Sequence, residues 1–258
     1  MPRFAANVSL LFTEQPFLQR FEAAAQAGFE AVECLFPYSH PATEVAAALR
    51  DSGLRMVLHN VPPGQWQQGE RGLACLPGRE DDFKQSLAQA LRYADALEVP
   101  RVHVMAGLVP AGVPHATWHA TWLANLRHAA HELAAAGRQM LLEPLNAHDV
   151  PGYALGSVGQ AEQLLDTLQA PNAALQFDIY HAQRTQGELA STLTRVLPRV
   201  GHMQLADVPG RHQPGTGEIA YPFLFEHIDR LGYNGWIGCE YHPTGSTQES
   251  LGWLPRTA

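Results

Sequence analysis

Eight short β-rich runs recur along the chain, with helix-like apolar spacing in segments between them. The runs comprise residues 4–9, 29–36, 54–60, 101–106, 139–145, 173–180, 200–207 and 235–242. Since the chain has 258 residues, one repeat averages about 32 residues, which is the size of one βα unit. Continuous apolar runs of this kind are typical of buried parallel strands. The pattern therefore predicts a (β/α)8 TIM barrel that forms a single domain over residues 1–258.

A doubly wound open sheet is the alternative arrangement of alternating strands and helices. It is disfavoured because no run is followed by the G-x-G-x-x-G pattern of dinucleotide-binding folds. Two connections are unusually long, residues 61–80 after the third run and 207–223 after the seventh. In a barrel both emerge at the C-terminal face, where loops build the functional site.

Charge and hydropathy exclude several classes of partner. The formal net charge is −8, and no block of Lys or Arg occurs, so nucleic acid is not an expected partner. No run of about 18 apolar residues is present, and the N-terminal segment lacks the features of a signal peptide. We therefore predict a cytoplasmic protein without a membrane partner.

Cysteine and lysine usage excludes two kinds of chemistry. Cys34, Cys75 and Cys239 are odd in number and show no C-x-x-C spacing, which argues against a disulfide framework or a structural zinc site. Lys84 is the one lysine, and it lies in a polar helical stretch. A Schiff-base amine needs a desolvated environment, so lysine-dependent aldol chemistry is disfavoured.

Oxygen-bearing side chains stand at the ends of the last four runs. They are Glu143, Asp178, Gln204 and Glu240, separated by 35, 26 and 36 residues. Strand ends converge in a closed barrel, so we expect these four side chains to meet. Buried carboxylates are costly unless they are paired or coordinate a cation, and an all-oxygen set suits Mg²⁺ or Mn²⁺. One strand-end acid alone is usually a satisfied loop residue, but four oxygen-bearing side chains at the ends of consecutive strands favour a divalent metal site.

Longer motifs allow a comparison with known families. They are FAANVSLLFTE at 4–14, GLACLPGRE at 72–80, RVHVMAGLVPAG at 101–112, LEPLN at 142–146, QFDIYHAQ at 176–183, DVPGRHQPGTGEI at 207–219 and GYNGWIGCEY at 232–241. Through them the whole chain resembles the hydroxypyruvate isomerase family, a branch of the xylose isomerase-like TIM barrels that also include ketose 3-epimerases and endonuclease IV. The resemblance implies interconversion of hydroxypyruvate and tartronate semialdehyde, with a divalent metal, Mg²⁺ or Mn²⁺, as the cofactor.

The resemblance also implies roles for individual residues. Glu143, Asp178, Gln204 and Glu240 would hold the metal, and Glu143 and Glu240 would also accept and donate the proton. Gln204 stands where the ketose epimerases have histidine, and its amide oxygen still suits Mg²⁺ or Mn²⁺. His181 resembles the family's substrate-contacting histidine, and Arg211 resembles its basic partner.

The same chemistry follows from the residue types. Moving a carbonyl between neighbouring carbons requires a proton to leave one carbon and return to the other through an enediolate. Two carboxylates on opposite sides of the substrate can do this, while a divalent metal stabilises the negative charge. An arginine such as Arg211 suits a carboxylate-bearing substrate because its planar donors can bind both oxygens.

Four further residues are weaker candidates. His59 and His103 end strands, where they either contact substrate or serve as satisfied histidines of the upper barrel. Arg79 could bind a substrate carboxylate, although a loop arginine more often braces its loop. Glu33, if buried, needs a neighbouring His or Arg as its partner.

Three alternatives stay open on the sequence alone. A 2-oxo-tetronate isomerase performs the same step on a substrate one carbon longer, and the catalytic residues do not distinguish the two. A metal phosphodiesterase like endonuclease IV would recruit His59, His103 and His181 as extra ligands, but Gln204 replaces a histidine that such an enzyme needs. A sugar-acid binding protein without activity is disfavoured by the two glutamates. A homo-oligomer is the general expectation for such enzymes.

Overall fold

The computed structural model describes residues 2–254 and has one closed parallel barrel. Its strands are β1 (Arg3–Asn7), β2 (Ala31–Cys34), β3 (Arg55–Asn60), β4 (Arg101–His103), β5 (Gln139–Leu142), β6 (Ala173–Asp178), β7 (Val200–Leu205) and β8 (Trp236–Cys239). Each strand pairs in parallel with the next, and β8 pairs with β1 to close the ring. The predicted (β/α)8 barrel is confirmed.

Helices follow the strands on the outside of the barrel. They are α1 (Arg20–Gln26), α2 (Ala42–Ser52), α3 (Glu80–Ala96), α4 (His115–Ala135), α5 (Val158–Leu168), α6 (Ile179–Thr185), α7 (Leu189–Val196), α8 (Tyr221–Arg230) and α9 (Thr247–Ser250). Short 3-10 turns occupy Phe17–Gln19, Trp66–Gln68 and Leu197–Arg199. Both long connections predicted from the sequence lie at the C-terminal ends of their strands, after β3 and after β7.

The strands are shorter than the β-rich runs. The fourth run is predicted over 101–106, whereas β4 ends at His103, and the fifth extends to 145, whereas β5 ends at Leu142. Glu143 and Glu240 each lie one residue beyond their strand, Asp178 is the last residue of β6, and Gln204 is the next-to-last residue of β7. The run ends are apolar because the loops that follow are buried too, and apolar composition does not separate a strand from a buried loop.

The barrel interior changes character along its axis. Near the N-terminal ends of the strands, Ala5, Ala31, Val57 and Trp236 form a buried apolar cluster. Toward the C-terminal ends the interior is polar, and its strand residues are fully buried: Asn7, Glu33, His103, Gln176, Asp178, His202 and Gln204. The main apolar core lies outside the barrel, between strands and helices. The polar end is therefore the place where a functional site can form.

Candidate active site

Strands β5, β6 and β8 bring three buried acids to the C-terminal end of the barrel. Glu143, Asp178 and Glu240 are 5%, 3% and 6% exposed, although each is formally ionisable. Asp178 also begins α6, where one of its carboxylate oxygens accepts the backbone N–H of Tyr180. The predicted convergence of these strand-end acids is observed.

A group that can hold a metal ion lies among these residues. Glu143, Asp178 and His181 each offer one ligand atom, and these atoms lie within 4.8 Å of one another. Glu143 Oε1 and Asp178 Oδ2 are buried without a hydrogen-bond partner. Unpartnered buried carboxylate oxygens are costly in an otherwise satisfied interior. A divalent cation would supply the missing partner, so the residues present fit such an ion.

His181 is oriented by Asn146. The backbone N–H of Asn146 donates to His181 Nδ1 over 3.1 Å, so this nitrogen carries no proton. Burial, and then the charge of Arg211, lower the pKa of His181 well below its ordinary value, so the ring is neutral. A neutral ring with an unprotonated Nδ1 carries its proton on Nε2. That nitrogen faces Asp178 Oδ2 at 3.7 Å, so His181 presents an N–H donor to the site.

Glu240 is held from two sides. Arg211 Nη2 donates to Glu240 Oε1 over 2.8 Å, and the same nitrogen lies 3.9 Å from Asp178 Oδ2. Gln204 Nε2 donates to the other oxygen, Glu240 Oε2. The Arg211 guanidinium also lies over the ring of Tyr180, 5.1 Å from its centroid. Arg211 therefore links the two acids and is positioned beside the site.

The loop that carries Arg211 is organised by one carboxylate. Asp207, which is 1% exposed, accepts the backbone N–H groups of four loop residues. These residues are Val208, Gly215, Gly217 and Ile219. A Cβ at Gly217 would lie 1.9 Å from the carbonyl oxygen of Val208, so the turn requires glycine there. Arg211 itself has a left-handed backbone, with φ of 55°.

Both the amide nitrogen and the amide oxygen of Gln204 make hydrogen bonds within the barrel. Its Nε2 donates to Glu240 and, over 2.8 Å, to Glu33, while its Oε1 accepts from Gln176 Nε2. The amide oxygen that the sequence assigns to a metal is thus engaged by Gln176 here. Its second lone pair is still able to bind a cation.

His103 lies beside Glu143. Its Nδ1 is 3.4 Å from Glu143 Oε2, and neither ring nitrogen has a hydrogen-bond partner. Burial lowers the pKa of His103 to about 3, so the ring is neutral. His103 therefore lies among the strand-end acids, and its contact with substrate stays a prediction.

Burial makes the three acids hard to ionise. The pKa of Glu143 is raised well above its ordinary value, first by burial and then by the charges of Glu240 and Asp178. Burial raises the pKa of Glu240 to about 8 and that of Asp178 to about 6, and Arg211 opposes both shifts. A pKa near neutrality suits a group that both accepts and returns a proton.

Two predicted substrate-binding residues lie elsewhere. His59 faces the helix layer, where its Nε2 is 3.2 Å from the carbonyl oxygen of Ala90 in α3. Arg79 pairs with Glu70 over 2.7 Å and with Asp82, at the start of α3. The structure does not bring either residue to the acids. The register shift between β2 and β3 brings Leu58, not His59, opposite Glu33, so His59 faces the helix layer. Nearby acids retain Arg79 in its loop.

Three residues that the sequence did not reveal as part of the site hold its side chains or its loop in place. Asn146 orients His181, Asp207 builds the Arg211 loop, and His202 pairs with Glu33 over 2.6 Å. The expectation that a buried Glu33 needs a His or Arg partner is therefore met by His202. The sequence offers one signal for the pairing of His202 with Glu33. His202 and Gln204 are two residues apart on β7, so strand alternation turns both side chains to the same side.

Fold and site together define a TIM barrel with a buried carboxylate centre at the C-terminal ends of its strands. Residues 21–257 match the family described as xylose isomerase-like TIM barrel, and the chain belongs to that family. It is 50% identical to 2-oxo-tetronate isomerase of Cupriavidus necator and 46% identical to hydroxypyruvate isomerase of Escherichia coli, with 98% of each chain covered in both comparisons. Both curated relatives are named as isomerases.

One solved structure is closely similar over its full length. It is described as an AP endonuclease, family 2, from Brucella melitensis, with a TM-score of 0.95, 44% identity and 98% of each chain covered.

Within residues 2–254, no helix is both long enough and apolar enough to cross a membrane.

Proposed function

We propose that this protein is a metal-dependent isomerase that interconverts hydroxypyruvate and tartronate semialdehyde (2-hydroxy-3-oxopropanoate). The observation that carries the proposal is the pair Glu143 and Glu240, two buried glutamates with raised pKa values in one cluster with Asp178. An aldose–ketose type isomerisation needs two such groups, one to remove a proton beside a carbonyl and one to return it.

The metal site would be formed by Glu143, Asp178, Gln204 and Glu240. The unpartnered oxygens of Glu143 and Asp178 support this assignment, and an oxygen-rich set suits Mg²⁺ or Mn²⁺. When bound, the cation supplies Lewis-acid stabilisation of negative charge on the substrate oxygens. His181 offers a ring nitrogen within 4.8 Å of the Glu143 and Asp178 ligand atoms, and in the tautomer that carries the Nε2 proton it donates to a substrate oxygen beside the ion.

The protein's own groups perform the proton transfers. Glu143 or Glu240, when ionised, removes the proton from the carbon beside the carbonyl and gives an enediolate. The opposite glutamate, which starts protonated, gives its proton to the neighbouring carbon, and the hydroxyl proton passes from one substrate oxygen to the other. Arg211 and the Nε2–H of His181 bind substrate oxygens, and Arg211 can contact a carboxylate with two donors. His103, neutral and beside Glu143, provides a further polar contact.

A four-carbon substrate is the second candidate. The relative named 2-oxo-tetronate isomerase from Cupriavidus necator is 50% identical over 254 residues. Proton transfer by Glu143 and Glu240 would serve a substrate of that length equally. An endonuclease IV-like phosphodiesterase is less well supported, because His59 contacts Ala90 and is not available as a metal ligand. The substrate in every favoured case is a small sugar acid. Assembly into a homo-oligomer stays a prediction.

The deciding experiment is proton NMR in D2O with chelator-treated protein, before and after addition of Mg²⁺ or Mn²⁺. Hydroxypyruvate and 2-dehydro-tetronate are supplied in separate reactions. We expect metal-dependent isomerisation with deuterium incorporated at the reacting carbon, and the ratio of kcat/KM values identifies the preferred substrate. Absence of reaction on both substrates, with metal binding verified by calorimetry, would contradict the proposal.

A further inference from the structure

A second carboxylate lies in the barrel interior, deeper than the acids of the proposed site. Glu33 on β2 is completely buried. A Cβ built on Gly238 would lie 2.2–2.3 Å from the atoms of its carboxyl group. Since Gly238 lies on β8 two residues before Glu240, the Glu33 carboxylate occupies the layer beneath Glu240.

Three side chains donate hydrogen bonds to this carboxylate. Glu33 Oε1 accepts from Asn7 Nδ2 over 3.0 Å and from Gln204 Nε2 over 2.8 Å, while Oε2 accepts from His202 Nε2 over 2.6 Å. Both oxygens are therefore occupied by protein donors. Glu33 has no free oxygen directed at a substrate, so its effect on the site must pass through one of these partners.

Gln204 is the partner that reaches the site. Its amide nitrogen donates to Glu33 and to Glu240 at the same time, and its amide oxygen accepts from Gln176. If the acceptor at Glu33 were lost, the amide could rotate and leave Glu240 Oε2 without its donor. Arg211 alone would then hold the Glu240 carboxylate, through Oε1.

We propose that Glu33 is a positioning residue, which fixes the Gln204 amide and through it the orientation of Glu240. The inference rests on the proposed function of Glu240 in proton transfer. Misplacing a reacting group by about 1 Å can reduce a rate by about 100-fold, and loss of outer-layer partners typically costs about 10–100-fold in metal affinity or activity. Effects of this size are expected here.

Gly238 makes it possible to separate positioning from stability. Glu33→Ala removes the carboxylate and leaves a cavity, so both kcat and thermal stability should fall. Gly238→Ala introduces a methyl group where the Glu33 carboxyl stands, and in the Glu33→Ala background this methyl group fills part of the cavity. The double variant should regain melting temperature without regaining kcat, because the acceptor for Gln204 is still absent.

The experiment compares wild type, Glu33→Ala, Glu33→Ala/Gly238→Ala and a control, Asn172→Ala. Asn172 bonds the carbonyl oxygens of Ala130 and Arg138 at the opposite end of the barrel, so its loss lowers stability away from the site. We measure kcat, KM, the melting temperature and the Kd for Mn²⁺ by calorimetry. Both Glu33 variants should show kcat reduced about 10–100-fold, KM within about threefold of wild type and Mn²⁺ binding weakened about tenfold or more. The control should retain wild-type kcat and Kd.

Recovery of kcat and Mn²⁺ affinity together with the melting temperature in the double variant would overturn the inference, since Glu33 would then act only as packing. Wild-type kcat and Kd in Glu33→Ala itself would do so as well. If wild type isomerises neither keto acid, the proposed function fails. The Mn²⁺ titrations then still test the positioning role of Glu33. Weaker Mn²⁺ binding in both Glu33 variants supports that role, and wild-type binding in Glu33→Ala overturns it.

Discussion

Two layers of buried acids occupy the same barrel, and their surroundings differ. In the deeper layer, both oxygens of Glu33 accept hydrogen bonds from protein donors. In the upper layer, one oxygen each of Glu143 and Asp178 and both ring nitrogens of His103 have no partner. All four residues are buried. The comparison teaches that burial and charge alone do not mark the site, whereas, among the described residues, buried carboxylate oxygens without a partner do.

The difference has an energetic meaning. An unsatisfied buried polar group costs about 1–3 kcal/mol, and more when it is charged. The Glu33 carboxylate in the deeper layer avoids this cost, because both of its oxygens are paired. In the upper layer this free-energy cost is present in the free protein. It falls when a cation or substrate supplies the missing contacts. Removing polar groups should therefore have opposite effects on stability in the two layers.

The strongest test exchanges the proton-transfer acids. Glu143→Gln and Glu240→Gln keep the side-chain size but remove the group that accepts and returns a proton. Each variant should lose turnover by about 10²–10⁴-fold or more. Melting temperature in the absence of metal should be unchanged or higher, because an amide replaces a poorly solvated carboxyl group.

Deuterium incorporation measured by NMR and thermal melts check both parts of this prediction. Circular dichroism of each variant provides the control for folding. Activity within tenfold of wild type in either variant would remove that glutamate from the mechanism and weaken the distinction between the two layers.

Arg211 provides the next largest effect. It holds Glu240 and is positioned to bind a substrate carboxylate, so Arg211→Ala should raise KM about 10–100-fold and lower kcat by a smaller factor. Arg211→Lys is the matched control, because it keeps the charge but loses the planar pair of donors, and it should recover only part of the affinity. Unchanged KM in Arg211→Ala would place the substrate carboxylate elsewhere.

The sequence predicted the upper layer better than the deeper one. Glu143, Asp178 and Glu240 lie at or just beyond strand ends, and the barrel geometry alone requires strand ends to converge. The βα periodicity also predicted all eight strands in the correct order. These features could be predicted because they depend on the local βα periodicity and on the closure of eight parallel strands into a barrel.

Side-chain direction could not be predicted in the same way. His59 and His103 both lie at strand ends, yet His59 contacts Ala90 in α3 and His103 lies beside Glu143. A shift in register between β2 and β3 interrupts simple alternation there. The pairing of Glu33 with His202 spans 169 residues, so no local pattern reveals it.

Protonation of the upper layer gives a third prediction. In metal-free protein the pKa values of Asp178 and Glu240 are about 6 and about 8, above the ordinary values near 4. The folded state therefore binds these protons more tightly than the unfolded chain. Their contribution to stability is fully present below about pH 4 and is lost as the pH rises through 6 and 8.

A divalent cation binds the ionised carboxylates, so its stabilising effect should increase over the same pH range. With Mn²⁺ at roughly 100 times its Kd, the melting temperature near pH 8 should exceed that of chelator-treated protein by about 5–10 °C. The gap should shrink toward pH 5. Differential scanning calorimetry of both samples from pH 5 to pH 9 measures it, and a gap independent of pH would show that these acids do not hold the ion.

Arg79 should give the smallest effect, because it lies outside both layers. Its guanidinium pairs with Glu70 and Asp82 and is about one-third exposed, with 36% of the side chain accessible. Exposed pairs of this kind contribute about 0–1 kcal/mol to stability. Arg79→Ala should therefore keep kcat/KM within about twofold of wild type and lower the melting temperature by about 4 °C at most. Arg138→Ala, which removes an exposed pair with Asp95, is the matched control. A tenfold rise in KM for Arg79→Ala alone would mean that substrate binding extends into the β3–α3 loop, and the boundary of the upper layer would have to include that loop.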